Sequence, residues 1–341
     1  MALQASGQIK YSEIIAEFGT PSSGGIGEYR LSENVGTLTN LPLDTGVPQS
    51  GQIKFSDFYS KKLNQVVDLY SIGNSTSRQN AKDRWNTGNV HIVGSTKTGK
   101  GQPPNTTDDR VIINVNNTIR SAKGTQTHCA LRTGNWDSGT VLEIEIGTSG
   151  KLYGSGGDGG TGGNANETAG TDGQTGSSAL GIEYPCTVNN LGVIQSGYGG
   201  GGGGGGNTRT TGGGKKSGAV TNGSSGGGGG GGAGLPAGSA GGVSTPLAVG
   251  GGSAGSAGQA GSLSGQATGG GGGTEAGDGG DSSPVNNTAT KAENGTQPSG
   301  AASGGTGGDN GYAIITNQGS APSLTGGGSL TGRTITSTNP T

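Results

Sequence analysis

The segment GSTKTGKG at residues 94–101 comes close to a phosphate-binding loop. Such a loop needs Gly, four residues, Gly, Lys and then a Ser or Thr whose hydroxyl binds magnesium. Gly94, Gly99 and Lys100 fit this spacing, but Gly101 stands at the hydroxyl position. Two prolines follow soon after, so the helix that should succeed the loop cannot readily form. We therefore interpret the segment as a hairpin loop.

The other residues that could do chemistry lack partners at useful spacings. His128 beside Cys129 suggests a zinc ligand pair, but zinc needs three or four protein ligands, and neither His91 nor Cys186 supplies a second pair. Neither histidine lies in a nucleophile motif such as Gly-x-Ser-x-Gly. The carboxylate pairs that a glycosidase would use are Asp108–Asp109 and Glu143/Glu145. Same-face acids on an exposed strand are common, so these pairs are weak evidence for a glycosidase. Since none of these sets is complete, we expect no enzyme, no metal and no cofactor.

The composition argues against a single large hydrophobic core. Of 341 residues, 82 are glycine, 26% are hydrophobic and 4% are aromatic. The apolar share is about half that of an ordinary globular domain. The formal net charge of −2 shows no basic bias, so we expect no nucleic acid as partner. No apolar run reaches about 18 residues, so we expect no membrane insertion.

An internal repeat marks the N-terminal region. SGQIKYSEI at residues 6–14 recurs as SGQIKFSDF at residues 50–58. Ser12 and Ser56 are good helix N-caps, each followed by an acid that suits a helix start. We predict a short helix after each cap, the first of them ending at Gly19. Two copies do not make a solenoid array, so residues 1–62 are predicted to form a small helical module.

Residues 63–153 read as the most ordinary part of the chain. Short runs such as VVDLYSI, RVIINVNN and VLEIEIG alternate apolar and polar residues between Gly, Asn and Thr, which is typical of β-strands. The alternation puts Leu142, Ile144 and Ile146 on one face of their strand. We expect most of the hydrophobic core here, with Trp85 and Trp136 as its largest members.

Most of the glycines lie in residues 154–311, in runs that include 199–206, 226–232 and 269–273. One interpretation is a flexible Gly/Ser linker. The other is a bundle of polyglycine II helices, which have three residues per turn and must find hydrogen-bond partners in their neighbours. Runs of similar length, separated by distinct loops, favour the bundle. No strict Gly-X-Y period runs through the region, so collagen is excluded.

The predicted fold class is therefore mainly β with little helix. The predicted order is a helical module at 1–62, a β-rich domain at 63–153, a polyglycine II region at 154–311, and a terminal strand with a polar tail at 312–341. The strand in this last part is GYAIITN at residues 311–317.

Two parts of the sequence resemble bacteriophage virion proteins. The paired SGQIKYSEIIAEFG and SGQIKFSDFYSKKL are similar to a module at the start of many phage tail and fibre components. LEIEIGTSGKLYGSGGDGGTGG and SSALGIEYPCTVNNLGVIQSGYGGGGGGGGN resemble the glycine-rich adhesins at the tips of T-even-like long tail fibres. This resemblance implies a protein of the virion tail or particle surface, with receptor-binding loops between polyglycine II helices. The double N-terminal module departs from the tip adhesins.

Carried onto this chain, the resemblance puts the receptor surface in four loops, Asn207–Asn222, Ala233–Val249, Ser253–Thr268 and Asp281–Gln297. The most distinctive contact groups in them are Arg209, Lys215, Lys216, Leu235 and Pro236. The apolar residues of the module are assigned to particle attachment, namely Ile9, Tyr11, Ile14, Phe18, Ile53, Phe55 and Phe58.

The partners implied are other phage tail or virion proteins and a host cell-surface glycan or outer-membrane protein. Both a monomer and a homotrimer fit the sequence. The alternative function is a purely structural tail, baseplate or capsid-surface fibre without receptor binding. An ice-binding protein is a third class, but such proteins show a strict Gly-x-x period and a flat Thr/Ala face.

Overall fold

The computed structural model describes residues 3–21, 23–74, 76–94, 110–166, 168–211, 220–249, 254–262, 267–269, 276, 280, 293, 302–317, 322–335 and 340. The described part is mainly β with little helix, as predicted. Its helices are α1 (Tyr11–Phe18), α2 (Ala81–Asn86) and 3₁₀ turns at Ile26–Tyr29 and Phe55–Phe58.

The strands, in chain order, are β1 (Ser32–Val35), β2 (Leu38–Pro42), β3 (Asn64–Leu69), β4 (Thr76–Ser77), β5 (Gln79–Asn80), β6 (Val90–Ile92), β7 (Arg110–Val115), β8 (Thr118–Arg120), β9 (Cys129–Arg132), β10 (Val141–Ile146), β11 (Lys151–Tyr153), β12 (Ser178–Ile182), β13 (Cys186–Asn190), β14 (Val193–Gln195), β15 (Asn207–Thr211), β16 (Val220–Ser224), β17 (Ala248–Val249), β18 (Tyr312–Thr316), β19 (Ser323–Thr325), β20 (Ser329–Thr331) and β21 (Arg333–Ile335).

The strands after residue 63 wind into a three-sided parallel β-solenoid. Consecutive strands along the chain enter three different sheets, and the chain then returns to the first sheet one layer further on. The parallel ladders run β3-β7-β10-β13-β19, β4-β8-β11-β14-β20 and β5-β9-β12-β18-β21. β6 pairs antiparallel with β3 at the edge of the first sheet. No strong repeat in the sequence marks these coils, so a solenoid was not predicted.

The solenoid interior is filled by apolar side chains stacked from coil to coil. In the first sheet, Ile113, Ile144 and Val188 occupy matching positions on adjacent strands, and all are fully buried. Equivalent stacks in the other two sheets include Leu152 and Leu180. Burying each such side chain contributes about 1.5–3 kcal/mol. These stacks form the main core, as the alternating pattern of residues 63–153 led us to expect.

Trp85 and Trp136 belong to this core, which confirms their predicted place. Each is 4% exposed, and their rings meet edge to face with centroids 5.9 Å apart. The indole N–H of Trp85 donates to Gln65 Oε1 at 2.8 Å, and that of Trp136 donates to the carbonyl of Thr133 at 2.8 Å. Lys82 Nζ lies 4.6 Å from both ring centroids. The tryptophans therefore bury their rings without leaving either polar N–H unsatisfied.

The N-terminal module packs on the first coils of the solenoid. Its core of Ile14, Phe18, Tyr29 and Phe58 continues into Leu63, Ile92 and Val93 of the solenoid. α1 ends where predicted, since the N–H of Gly19 donates to the carbonyl of Ile15. The second copy of the repeat forms only the 3₁₀ turn Phe55–Phe58.

The predicted N-caps at Ser12 and Ser56 are wrong, because the helical turns begin earlier, after Lys10 and Lys54. The acid three residues later reaches back to the backbone of each cap. Glu13 Oε2 accepts the N–H of Lys10 at 2.7 Å, and Asp57 Oδ2 accepts the N–H of Lys54 at 2.7 Å. The N–H of each lysine has no partner within the helical turn, and a charged carboxylate is a strong acceptor for it. This bond favours a start of the turn at the lysine.

The glycine-rich residues form two insertions at one corner of the solenoid. Residues 154–177 connect β11 to β12 in one coil, and residues 196–311 connect β14 to β18 in the next. We call the described parts of these insertions, apart from the small sheet, the glycine bundle, which comprises residues 154–166, 168–177, 196–206, 225–246, 254–262 and 302–311. The sheets thus join strands from residues 63–153, from the glycine-rich range and from the terminal tail.

Candidate functional site at the far end of the glycine bundle

Backbone hydrogen bonds hold the glycine bundle together with a regular step of three residues. In residues 154–165, every third N–H donates to a carbonyl of residues 195–204, starting from Gly154. A second row, starting from Gly156, donates to residues 236–246. All these donor–acceptor distances are 2.8–2.9 Å. Side chains add further bonds between segments, such as the one from the N–H of Ser155 to the Ser177 hydroxyl at 2.7 Å.

The chain runs up and down through the bundle. The N–H groups of Thr171, Gln174 and Ser177 donate to carbonyls at 161, 158 and 155, so residues 168–177 run antiparallel to residues 154–165. Residues 225–234 are likewise antiparallel to 196–206, and residues 254–262 to 236–246. The near end of the bundle lies where β11 and β14 pass into it. The far end lies where residues 165, 206, 225, 246, 254 and 302 meet.

A small antiparallel sheet stands at this far end. β15 continues directly from Gly206 and pairs with β16, which pairs in turn with β17. Its base is polar and buried, with Asn207 and Ser224 each 2% exposed and Ser225 fully buried. Asn207 Oδ1 accepts the N–H of Ser224 at 3.2 Å, and the hydroxyl of Thr208 donates to the carbonyl of Ala165 at 2.8 Å. The first bond lies within the sheet and the second joins the sheet to the bundle. Nothing in the sequence had singled out Thr208 or Ser224.

The structure separates the predicted receptor-binding residues into two groups. Arg209 lies on β15 at the far end, opposite Asn222 of β16. Lys215 and Lys216 lie between these strands, outside the described residues. Leu235 and Pro236 lie at the near end and are half-buried. There the N–H of Leu235 donates to the carbonyl of Gly154, and Pro236 accepts from the N–H of Gly156, both at 2.9 Å.

The predicted loops divide in the same way. Asn207–Asn222 lies at the far end, whereas Ala233–Val249 contains a near-end turn, a bundle segment and β17 at the far end. Of Ser253–Thr268, the structure describes residues 254–262, which run toward the near end, and residues 267–268, where the carbonyl of Thr268 accepts the N–H of Gln259 at 2.9 Å. Of Asp281–Gln297, the structure describes only Glu293, whose carbonyl accepts the N–H of Gly205 at 3.1 Å.

The residues assigned to particle attachment also differ in exposure. Four of them, Ile9, Ile14, Phe18 and Phe58, are at most 8% exposed and belong to the core of the module itself. Tyr11 and Ile53 are half-buried, and Phe55 is 44% exposed. The rings of Tyr11 and Phe55 meet edge to face, 6.2 Å apart. These last three residues offer the apolar surface of the module.

An ion pair ties the near end of the bundle to the solenoid. Lys123, between β8 and β9, donates from Nζ to Asp158 Oδ1. The same oxygen accepts the backbone N–H of Ser239 at 2.6 Å. Burial by itself would raise the pKa of Asp158, but the hydrogen bonds from Lys123 and Ser239, with the lysine charge, hold it below its ordinary value. Asp158 therefore joins three parts of the chain through one carboxylate.

The residues first considered for chemistry have structural contacts. Nδ1 of His128 lies 3.1 Å from the carbonyl of Lys123. Burial raises the pKa of the Cys186 thiol to about 12, so the thiol stays protonated and a poor nucleophile. Glu143 pairs with Arg110 at 2.6 Å. Asp108 and Asp109 lie outside the described residues, as does the phosphate-loop-like segment apart from Gly94, whose N–H donates to Glu33 Oε1 at 3.1 Å.

Within the described ranges, no group of three or more His, Cys, Asp or Glu residues is arranged to hold a metal ion. No helix in the part of the chain that the structure describes is long and apolar enough to cross a membrane.

The geometry is that of a β-solenoid protein that carries a hydrogen-bonded bundle, with a small antiparallel sheet at the far end of the bundle. A family model described as "Phage tail fibre adhesin Gp38" matches residues 84–338, well over half of the chain. No match was found among curated proteins or among solved structures. The chain therefore belongs to the phage tail fibre adhesin Gp38 family.

Family membership confirms the resemblance noted in the sequence. The chain is a bacteriophage tail-fibre adhesin, a viral structural protein of the virion tail that serves attachment to a host receptor. Its family is one of structural, receptor-binding proteins rather than enzymes. As a tail-fibre adhesin it associates with other tail proteins and with host surface receptors. The match begins within α2, so the N-terminal module lies before the matched residues.

Proposed function

We propose that this adhesin attaches to the phage particle through residues 1–62 and recognises its receptor through the loops at the far end of the glycine bundle. The observation that carries the proposal is the alternating direction of the bundle segments. Because consecutive segments along the chain alternate in direction, several connections meet at one end, about as far from the solenoid as the segments reach. An adhesin that must touch a cell surface needs its contact groups at such a tip.

We further propose that the bundle segments are polyglycine II helices. The three-residue step of their hydrogen bonds matches the three residues per turn of that helix, which makes no internal hydrogen bonds. Close approach of the backbones also supports it, since a Cβ added at Gly157 would lie 1.9 Å from the carbonyl oxygen of Gln174. At about 3.1 Å per residue, residues 154–163 would span about 28 Å.

The chemistry of the far end favours an anionic receptor group. Arg209, Lys215 and Lys216 fall within the stretch from β15 to β16. Arginine and lysine pair with carboxylates and phosphates through charge-assisted hydrogen bonds. Such groups occur on host surface glycans and on outer-membrane proteins, the two receptor classes that we propose. Leu235 and Pro236, at the near end, would support the bundle instead of touching the receptor.

Host-cell binding by purified variants tests this proposal. We expect Arg209→Ala/Lys215→Ala/Lys216→Ala to lower the apparent affinity for host cells at least about tenfold, as loss of several charged contacts implies. Two controls match it at the near end: Lys151→Ala removes an exposed cation on β11, and Leu235→Ala truncates a predicted contact residue. Both should bind as the parent chain does.

Equal binding by the triple variant and the parent would move the receptor surface away from this hairpin. If the folded parent chain does not bind host cells at all, the alternative function takes over, and the chain is a structural component of the fibre. Loss of binding in Leu235→Ala alone would assign receptor contact to the near end.

A further inference from the structure

The two copies of the N-terminal repeat are identical at every position that is exposed in both. The positions that are exposed in both copies carry identical residues, namely Ser6, Gly7, Gln8, Lys10 and Ser12 in the first copy and Ser50, Gly51, Gln52, Lys54 and Ser56 in the second. The buried Ile14 is replaced by the buried Phe58. Ile9 and Ile53, which are buried and half-buried, are also identical. Packing can account for these isoleucines, but identity at the exposed positions needs another cause.

Backbone geometry explains only part of this identity. Gly7 has a φ of 96° and Gly51 a φ of 74°, both in the left-handed region that favours glycine. Glu13 and Asp57 each bind the backbone N–H of the lysine three residues earlier. These features account for the glycines and the acids. They do not account for Gln8, Lys10 and Ser12 or for their counterparts.

The two copies also meet at equivalent positions. Tyr11 and Phe55 occupy the same place in the repeat, and their rings are in contact. Contact between equivalent positions is the mark of a two-fold arrangement, as in an isologous dimer interface. We call Gln8, Lys10 and Ser12 the first patch and Gln52, Lys54 and Ser56 the second patch. The module thus presents two like patches, one in each copy of the repeat.

We propose that the two patches bind two equal segments of one homo-oligomeric protein of the phage particle. The inference rests on the proposed attachment through residues 1–62 and goes further by making it bivalent. Each patch offers an exposed ammonium, an amide and a hydroxyl, while the acid of each copy is directed to its own backbone. Such a set suits a segment that carries a carboxylate. A homo-oligomer supplies two identical segments at a fixed spacing.

Bivalence makes a quantitative prediction. Two linked contacts strengthen the apparent affinity by about 100-fold or more over either contact alone. We therefore expect Gln8→Ala/Lys10→Ala and Gln52→Ala/Lys54→Ala each to weaken attachment by about 100-fold, and the combined variant to abolish it. The binding should also weaken with added salt, because the lysines are exposed.

The test uses phage particles grown without this adhesin as the probe and purified full-length chain as the ligand. The amount of chain that sediments with the particles is measured across a concentration series. Lys151→Ala/Gln259→Ala is the matched control, since it removes the same residue types outside the module. Thermal unfolding checks that each variant remains folded.

Similar losses in both double variants, with full binding by the control, support the inference. If only one patch matters, the bivalent inference is overturned while attachment through the module stands. If neither patch matters but Phe55→Ser abolishes sedimentation, the module attaches through its apolar surface, and the bivalent inference is again overturned. If all these variants bind as the parent does, the proposed attachment through residues 1–62 fails as well.

Discussion

At the scale of single residues, Asp158 has the clearest structural role in the described chain. Its carboxylate accepts from Lys123 of the solenoid and from the N–H of Ser239 in the bundle, while its own backbone belongs to residues 154–165. Both side chains of the ion pair are 30% exposed, so solvent screens the charge interaction in part. The orientation of the bundle on the solenoid depends in part on this contact.

We predict that Asp158→Asn destabilises the protein by about 1 kcal/mol at neutral pH, after allowance for solvent screening. The folded-state pKa of Asp158 is lowered, so its stabilising effect is fully present above the unfolded value of about 3.9. It is lost as the pH falls through the lower folded-state value. Thermal unfolding of both proteins between pH 7 and pH 2 should show curves that converge below about pH 4. A gap that stays constant down to pH 2 would contradict the role of the charge.

At the scale of elements, each bundle segment has three rows of residues, one for each position of its three-residue step. The place of a segment in the bundle determines how many of these rows must be glycine. Residues 199–206 and 226–232 are glycine throughout, and they receive or donate hydrogen bonds on several sides. Residues 302–311 lie at the edge, and Gly305, Gly308 and Gly311 recur at every third position along the row that faces 171–177. One of the other two rows carries polar residues, namely Ser303, Thr306 and Asp309. Within these segments, glycine is required where another backbone lies within about 2 Å of the missing Cβ.

A neighbouring pair of glycines tests this rule. A Cβ at Gly241 would lie 2.0 Å from the carbonyl oxygen of Gly160, whereas a Cβ at the adjacent Gly242 meets nothing within 4 Å. We expect Gly241→Ala to cost about 1–3 kcal/mol, since the bundle must open to accept the methyl group. Gly242→Ala should change stability by less than about 0.5 kcal/mol. Thermal unfolding and protease resistance of the two variants measure the difference, and equal effects would argue against backbone packing as the cause.

At the scale of the whole molecule, one chain builds all three faces of the solenoid. The main core joins residues from β3 through β18, and each sheet contains strands from distant parts of the sequence. Both glycine insertions leave from the same corner, between β11 and β12 and between β14 and β18. The bundle therefore rests on successive coils that are already paired with each other.

This arrangement favours a monomer over a homotrimer, the two oligomeric states that the sequence left open. A chain that completes its own three-sided core needs no second copy to bury its apolar residues. We expect the purified chain to have a mass of about 33 kDa in solution. Analytical ultracentrifugation or light scattering measures this, and a stable species of three times the mass would favour the homotrimer.

Much of the fold could be predicted locally. The alternation in VLEIEIG put Leu142, Ile144 and Ile146 inside, and all three are at most 3% exposed. The end of α1 at Gly19 and the strand at Tyr312–Thr316 also follow from local pattern. The solenoid could not be predicted in this way, because its coils differ in length and glycine insertions separate strands that pair. The polar tail carries β19–β21 without a strong strand signal of its own.

The candidate site was predicted only in outline. Loops between glycine segments were expected to form one surface, yet Leu235 lies at the near end and β15 at the far end. Spacing along the chain does not reveal the direction of a segment, and direction determines which end a loop occupies. The sequence did carry a signal for the three-residue step of the bundle, because Ser155, Asp158 and Thr161 recur at every third residue between glycine pairs.

By itself the sequence determined the class of this protein, since glycine runs, short alternating strands and the paired N-terminal repeat are local properties of composition and order. The tertiary structure alone decided which strands share a sheet, which glycines face another backbone and which loops meet at the tip. Those outcomes depend on hydrogen bonds between segments far apart in the chain. A backbone donor has the same chemistry at every residue, so only the folded arrangement selects its partner.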